Sequence, residues 1–149
     1  MNRGTEKLPQ GYSPVFADRH ELLSRWLTAL RDPGTVQIKG HLKTVEGHDV
    51  LGVLCEVAGL TSEGWGGATE SGAIIYRFLS DTGAVRHSLP TDLARHMRIR
   101  TDTGIFSHHQ MYEGQKYLSL SEMNDTGLTF PQLADFIEKN INVVFRNDF

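Results

Sequence analysis

The sequence predicts a single small α+β domain with about four helices and one or two antiparallel β-hairpins. Apolar residues recur at three- and four-residue spacing in two segments, 19–31 and 130–141, which indicates amphipathic helices. An Asp-Thr-Gly turn at 81–83 separates two runs rich in Ile, Tyr, Phe and Val, as in a β-hairpin. The length of 149 residues suits one domain. We assign residues 1–17 to a flexible N-terminal arm and residues 18–149 to one globular domain.

Composition restricts the surroundings and the partners of the protein. The formal net charge of −3 does not favour duplex nucleic acid as a partner. No apolar run approaches the ~18 residues of a membrane-spanning helix, so no membrane partner is expected. The single cysteine, Cys55, cannot form an internal disulfide, and no secretory signal pattern is present. We therefore expect a protein of the reducing cytoplasm.

The first helix is predicted over residues 19–31. Asp18 precedes this segment as an N-cap, and Asp32-Pro33-Gly34 ends it, because proline cannot continue a helix. The predicted buried face consists of Leu22, Leu23, Trp26, Leu27 and Leu30.

Residues 35–45 alternate as an extended strand would. In that conformation Lys39, His41 and Lys43 lie on one face of the strand. The sequence therefore predicts a basic strand face next to the first helix.

The segment 48–60 is dense in apolar residues and is predicted to be a central helix that is buried on most sides. Gly52 is expected to let another element approach this helix closely, because glycine has no side chain. Cys55 is expected to be a core residue.

Residues 61–72 are rich in Gly, Ser and Glu and are predicted to form a flexible loop. This loop carries Trp65, which is costly to leave in water. Trp65 therefore either packs on the core, which we favour, or covers a ligand or partner. Beyond the loop, residues 73–79 and 83–89 are predicted to pair as a hairpin.

Pro90 opens a short predicted helix over residues 91–97. A second Asp-Thr-Gly at 102–104 predicts a shorter hairpin, with residues 98–100 on one side and 105–106 on the other. Asp-Thr-Gly recurs at 125–127, but the flanking residues do not match, so we interpret the recurrence as turn chemistry and not as a repeat.

The C-terminal stretch predicts two short helices joined by a turn. The turn is Asn124 to Gly127, where glycine can adopt the left-handed conformation that ends a helix. Thr129 can cap the second helix, and Pro131 fits in its first turn. The apolar stripe of this helix consists of Phe130, Leu133, Ala134, Ile137 and Ile141.

Three segments carry a family resemblance: RWLTALRDPGTVQIKGHLK at 25–43, HDVLGVLCEVAG at 48–59 and LSLSEMNDTGLTFPQLADFIE at 118–138. They resemble a group of small, mostly uncharacterised proteins from bacteriophages, prophages and their mostly actinobacterial hosts. In that group the segments are similar to a Trp-led helix ending in Ala-Leu-Arg-Ser-Gly, to Cys-Cys-Leu-Gly-Val-Leu-Cys-Asp, and to Leu-Asn-Asp-x-Gly-x-Ser-Phe followed by Ile-Ala-x-x-Ile-Glu. The resemblance implies a phage setting, in which counter-defence proteins are common.

This chain departs from the family pattern at the paired cysteines, where it has Asp49-Val50. Cys55 is left alone, and a structural metal or redox pair would need further ligands. No two of the seven histidines have the i, i+4 spacing of a metal site within a predicted helix. We therefore expect no metal and no cofactor.

No catalytic signature is recognised in the chain. A Gly-x-Ser-x-Gly turn is absent, and no base is marked near Cys55. The adjacent His108 and His109 lie in a predicted loop and could supply one metal ligand or a general base. We consider a binding protein more favoured than an enzyme.

The most suggestive pattern combines basic and aromatic residues on predicted strands. Such groups can hold a phosphate by charge-assisted hydrogen bonds while an aromatic ring stacks on a base. The competing interpretation is a solvated polar face of a half-buried sheet. The candidate ligand-binding residues are Lys39, His41, Lys43, Trp65, Tyr76, Arg77, Arg86, His87, Arg98, Arg100, His108 and His109.

We therefore expect a phage-type, non-catalytic protein that sequesters a small nucleotide-derived ligand, such as a host immune signal. A homodimer or larger oligomer is expected, because a pocket between subunits can enclose a charged ligand. One alternative is a protein-interaction module that inhibits a host or phage enzyme, with Trp26 or Trp65 as an anchor. Another is a nucleotide hydrolase or phosphodiesterase that uses His108 or His109 with Asp102.

Overall fold

The computed structural model describes residues 16–149, which form an α+β fold of six helices and two antiparallel sheets. Four of the described helices have seven residues or more, so the predicted fold class is confirmed. The helices are α1 (Arg19–Arg31), α2 (Val50–Val57), α3 (Thr91–Met97), α4 (Leu120–Asp125), α5 (Phe130–Lys139) and α6 (Ile141–Val144). The strands are β1 (Lys43–Thr44), β2 (Gly47–His48), β3 (Ser62–Ala68), β4 (Ile74–Ser80), β5 (Gly83–Val85), β6 (Ile105–Tyr112) and β7 (Gln115–Ser119).

The predicted N-terminal arm, residues 1–17, lies outside the described residues except at its end. Phe16 and Ala17 are half-buried and pack against the core. The ring of Phe16 lies 5.2 Å from that of His96, and His96 Nε2 lies 2.7 Å from the carbonyl oxygen of Ala17.

Helix α1 has the predicted bounds and the predicted cap. The side chain of Asp18 accepts a hydrogen bond from the backbone N–H of His20, as an N-cap residue does. Trp26 is fully buried, and its indole N–H donates to the carbonyl of Val50 at 2.9 Å. This bond ties the middle of α1 to the start of α2.

Helix α2 lies within the predicted central helix and is buried along most of its length. A Cβ atom added to Gly52 would lie 2.6 Å from the carbonyl carbon of Leu42 and closer still to the oxygen, so the predicted close approach is confirmed. Cys55 is fully buried, as expected. Asp49 caps the helix by accepting from the N–H of Gly52 at 2.7 Å.

The larger sheet has the strand order β2-β1-β4-β3, and β5 also pairs with β4. The predicted hairpin about 81–83 is confirmed as β4 and β5, in which Phe78 lies opposite Val85. The predicted flexible loop at 61–72 is wrong, because residues 62–68 form β3 and pair with β4. Glycine has low strand propensity, but the backbone hydrogen bonds that β3 forms with the edge of the apolar strand β4 outweigh it.

The predicted extended strand at 35–45 is wrong except at Lys43–Thr44. Gly40 adopts a left-handed conformation with φ of +81°, which bends the chain and ends any alternation of faces. The side chain of Gln37 also turns inward, where its Nε2 donates to Asn124 Oδ1 at 2.9 Å and its Oε1 accepts from the N–H of Phe130.

Asn124 is fully buried at the centre of a polar hub, formed by Asn124, Gln37, Ile38, Val50 and Asp125. Its Oδ1 accepts from Gln37 and from the N–H of Val50, and its Nδ2 donates to the carbonyl of Ile38 and to Asp125 Oδ1. All four hydrogen-bonding positions of the amide are thereby used. The hub joins α4 to the irregular chain before β1 and to the start of α2.

The predicted second hairpin, in which residues 98–100 pair with 105–106, is wrong. Strands β6 and β7 pair around a turn at Glu113-Gly114, where both residues have positive φ. Ile99 instead bridges to Phe145. The Glu-Gly turn was missed because glutamate is not among the residues typical of such turns.

Helices α3 and α5 begin at the predicted residues. Thr129 and Gln132 form a reciprocal capping box at the start of α5. Gly127 has φ of +117°, as predicted for the break after α4. The two C-terminal helices are therefore confirmed.

Candidate functional site

A cleft with a volume of about 530 Å³ lies between the end of α1, the β1–β2 turn and the outer side of α2. We call it the valine cleft, after Val36, Val45, Val53 and Val57 in its walls. Its other lining residues are Ala29, Gly34, Thr35, Lys43, Thr44, Glu46, Gly47, His48, Glu56 and Tyr76.

Three charged or titratable side chains meet in the valine cleft. Lys43 Nζ lies 2.8 Å from Glu56 Oε1 and also donates to the hydroxyl of Ser62 at 2.7 Å. His48 Nε2 lies 3.0 Å from the same Glu56 oxygen. The hydrogen bond from His48 and then that from Lys43 lower the pKa of Glu56 to about 2.

The local fold explains why these residues meet. Lys43 and His48 are direct cross-strand partners in the β1–β2 pair, so their side chains lie on the same face. Glu56 is on the part of α2 that faces this hairpin and remains exposed. Lys43 also lies 4.9 Å from the centre of the Tyr76 ring, a cation–π distance.

The valine cleft has a partly apolar surface beside this polar cluster. Val36 and Val45 are 56% and 62% exposed, which is high for branched aliphatic side chains. A cleft with apolar walls and a few convergent polar groups is the usual form of a small-molecule site.

A second group of predicted residues lies near Arg86. The guanidinium of Arg86 lies 3.6 Å from the centre of the Trp65 ring, and the rings of His41 and His87 are 5.0 Å apart. Burial, and then the nearby His87 and Arg86, lower the pKa of His41. Trp65 is 41% exposed, so the favoured interpretation that it packs into the core is wrong.

The remaining predicted residues are dispersed. Arg77 forms an ion pair with Glu63, and Arg98 forms one with Asp148. Lys39 is exposed in the irregular segment before β1. His108 and His109 lie on β6, a strand and not the predicted loop, and both are exposed.

Arg100 lines a different cleft of about 270 Å³, which we call the arginine cleft. Two further arginines, Arg95 and Arg146, line it as well. The other lining residues are Thr91, Ala94, Ile99, Thr101 and Asp102. Asp102 lines this cleft, but neither His108 nor His109 does. The histidine and the aspartate of the hydrolase alternative therefore do not meet in this cleft.

Sequence reasoning missed His48 and Glu56, although it included Lys43 and Tyr76. The cross-strand register that brings His48 beside Lys43 exists only once the two-residue strands β1 and β2 are known. Glu56 was on the polar edge of a predicted helix, where a lone carboxylate is unremarkable.

Two properties concern the described residues as a whole. Within residues 16–149, no group of three or more His, Cys, Asp or Glu side chains is arranged to hold a metal ion. In the same range, every helix is too short or too polar to cross a membrane.

Comparison with known proteins gives one family match. No curated protein and no solved structure matches the chain. The model of one protein family matches residues 19–141, which extend from the first residue of α1 to the first residue of α6. The chain therefore belongs to the family described as "Domain of unknown function (DUF8296)".

Proposed function

We propose that the protein is a non-catalytic binding protein that captures a small, nucleotide-derived ligand in the valine cleft. The observation that carries this proposal is the cleft itself. Its volume of about 530 Å³ falls within the range of roughly 300–1,000 Å³ that is typical of small-molecule sites. Its apolar walls and single polar cluster match the two halves of a nucleobase, a flat apolar face and a polar edge.

The polar cluster favours the base over the phosphate as the bound part. Lys43 is neutralised by Glu56 at 2.8 Å, so it offers little free positive charge to a phosphate. Glu56 Oε1 is shared by Lys43 and His48, whereas Oε2 has no hydrogen-bond partner in the described residues. An N–H group on the edge of a base would donate to that oxygen.

The same cluster favours binding over catalysis. A general acid or base needs a pKa near the working pH. Glu56, with a pKa of about 2, remains ionised at neutral pH and serves as a fixed acceptor. Lys43 and His48 are both engaged with it.

The family resemblance supplies the biological setting of the proposal. In a phage or prophage, such a protein would act in the bacterial cytoplasm as a sponge for a nucleotide used in host immune signalling. Such a protein lowers the concentration of the free signal by binding it tightly and in sufficient amount, and it does not need to convert the nucleotide chemically. A homodimer or larger oligomer remains part of this proposal.

The test is native mass spectrometry, followed by heat release, on protein exposed to nucleosides, mononucleotides and cyclic oligonucleotides. The expected result is an intact, chemically unchanged nucleotide, with the subunit count given by the native mass. Val45→Glu should weaken binding at least tenfold, because it places a charge on the apolar wall. Met111→Glu is the matched control, since Met111 is 64% exposed and lies outside the cleft.

Two outcomes would contradict the proposal. A processed product would identify an enzyme. If the protein is folded by circular dichroism but binds no nucleotide of any class, the proposal of a nucleotide ligand is wrong.

A second candidate, the interaction module, is supported by the exposed face of the β6–β7 hairpin. Met111 lies opposite Lys116, and with Leu118 it points away from the buried Tyr117. Trp26 cannot serve as the anchor, because it is fully buried. The test is chemical cross-linking of this hairpin to one host or phage enzyme. Cross-links that are lost in Met111→Glu and retained in Val45→Glu would favour this candidate over the first.

A further inference from the structure

The arginine cleft is locally basic on a protein whose net charge is −3. Three guanidinium groups, from Arg95, Arg100 and Arg146, line it together with one carboxylate, from Asp102. It shares no lining residue with the valine cleft. Its charge therefore calls for a separate explanation.

Two of these arginines have guanidinium groups without a partner in residues 16–149. Among the described residues, the guanidinium groups of Arg95 and Arg146 form no hydrogen bond or ion pair with the protein. Arginines elsewhere in residues 16–149 have carboxylate, carbonyl or aromatic partners. They are Arg19, Arg25, Arg31, Arg77, Arg86 and Arg98. The two unpaired guanidinium groups thus meet at one cleft.

The third arginine is held in place by the fold. Arg100 Nη2 donates to the carbonyl of Asn142 at 3.1 Å, which fixes one end of the guanidinium. Its Nε atom is buried and has no hydrogen-bond partner within the described part of the chain. Arg100 also lines the cleft, so its other guanidinium N–H groups can donate to a bound anion.

The surrounding backbone explains why the arginines come together. Ile99 bridges to Phe145, and the N–H of Arg146 donates to the carbonyl of Arg98 at 2.7 Å, so the two segments run side by side. Thr91 and Arg95 are one turn apart on α3 and face the same cleft. The site is thus assembled from three separate segments of the chain.

We propose that the arginine cleft binds a phosphate or pyrophosphate group. Guanidinium groups match the oxygens of phosphate with paired, charge-assisted hydrogen bonds. The volume of about 270 Å³ lies below the usual range of roughly 300–1,000 Å³ for whole small-molecule ligands, so it suits a phosphate group more than an entire nucleotide. Asp102 would accept a hydrogen bond from a protonated phosphate oxygen.

The probe is sodium pyrophosphate, titrated calorimetrically into the full-length protein at fixed low ionic strength. We expect saturable binding, weakened at least tenfold in the double variant Arg95→Gln/Arg146→Gln. Both residues are exposed, so the variant should fold, which circular dichroism would verify. Arg25→Gln removes an exposed arginine from α1, outside the cleft, and should bind as the unmodified protein does.

Three results would overturn the proposal: no saturable binding of pyrophosphate, unchanged binding in Arg95→Gln/Arg146→Gln, or equal weakening in Arg25→Gln. If pyrophosphate does not bind but a short single-stranded oligonucleotide does, the arginines would instead be assigned to a nucleic-acid backbone. Val45→Glu should leave pyrophosphate binding intact, so failure of the valine-cleft proposal is distinguishable from failure of this one.

Discussion

The carbonyl group of Leu42 occupies the space that a side chain at Gly52 would need. That carbonyl also accepts a hydrogen bond from the N–H of Asp49 at 3.1 Å, so it is fixed by the residue that caps α2. Neither the helix nor the segment before it can move away without losing this bond. Position 52 therefore tolerates only glycine.

Gly52→Ala should reduce the free energy of unfolding by about 3 kcal/mol or more, because the overlap is with rigid backbone. Chemical denaturation followed by circular dichroism measures the change. Gly64→Ala is the control, since its Cβ would meet only Ile74 Cγ2 at 3.7 Å. A loss of less than 1 kcal/mol in Gly52→Ala would contradict the close approach.

Asp49 should make the protein less stable as the pH rises. Burial raises the pKa of this carboxyl from its ordinary 3.8 to about 7. Between these two values the folded state holds a proton that the unfolded state has lost, so stability falls as the pH increases toward 7 and then levels off. Asp49→Asn keeps an N-cap and should gain up to about 4 kcal/mol at pH 8 and little at pH 4.

Denaturation of both proteins at several values between pH 4 and pH 8 would check this. The difference between them isolates Asp49, because the two proteins are identical at every other position. A constant difference over that range would contradict the raised pKa.

Asn124→Ala should lower the free energy of unfolding by about 3 kcal/mol. The substitution leaves the buried N–H of Val50 and the half-buried carbonyl of Ile38 without their present partners. Asn142→Ala is the control, because Asn142 is exposed on α6. Equal stability losses in the two variants would show that the hub is not a principal support of the fold.

The two tryptophans should differ in fluorescence. Trp26 is fully buried, whereas Trp65 is 41% exposed beneath Arg86. Trp65→Phe should shift the emission to shorter wavelength and remove most quenching by acrylamide. Arg86→Gln should increase the quenching of Trp65 and cost about 0.5–1 kcal/mol of stability. Quenching that is unaffected by Trp65→Phe would contradict the exposure of Trp65.

Helices were predictable here because their signals are local. The Thr129–Pro131 cap and the Pro90 start lie within a few residues of the helices they begin, and both were located from sequence. Strand β3 was not predictable, since its glycines carry no strand signal and its pairing depends on the edge of β4. The inward position of Gln37 was not predictable for a similar reason, because its partners Asn124, Leu128 and Phe130 lie far away in the sequence.

The candidate sites were predictable only in part. Lys43 and Arg100 were selected as basic residues, but each was expected to join one common site. The sequence gives the number of basic residues, but it does not show which of them form ion pairs with a carboxylate in the fold. Lys43 has Glu56 as its partner, whereas Arg95 and Arg146, which were not selected, have none among the described residues.

The polar hub at Asn124 also bears on the order of folding events. Its bonds to Gln37, Ile38 and Val50 span 87, 86 and 74 residues of chain. Contacts so distant in sequence require the closure of long loops and are expected to form after the local helices. Until then the amide stays hydrated in an already collapsing chain. The bonds of Asn124 would thus form after the folding transition state. Asn124→Ala should therefore speed unfolding far more than it slows refolding.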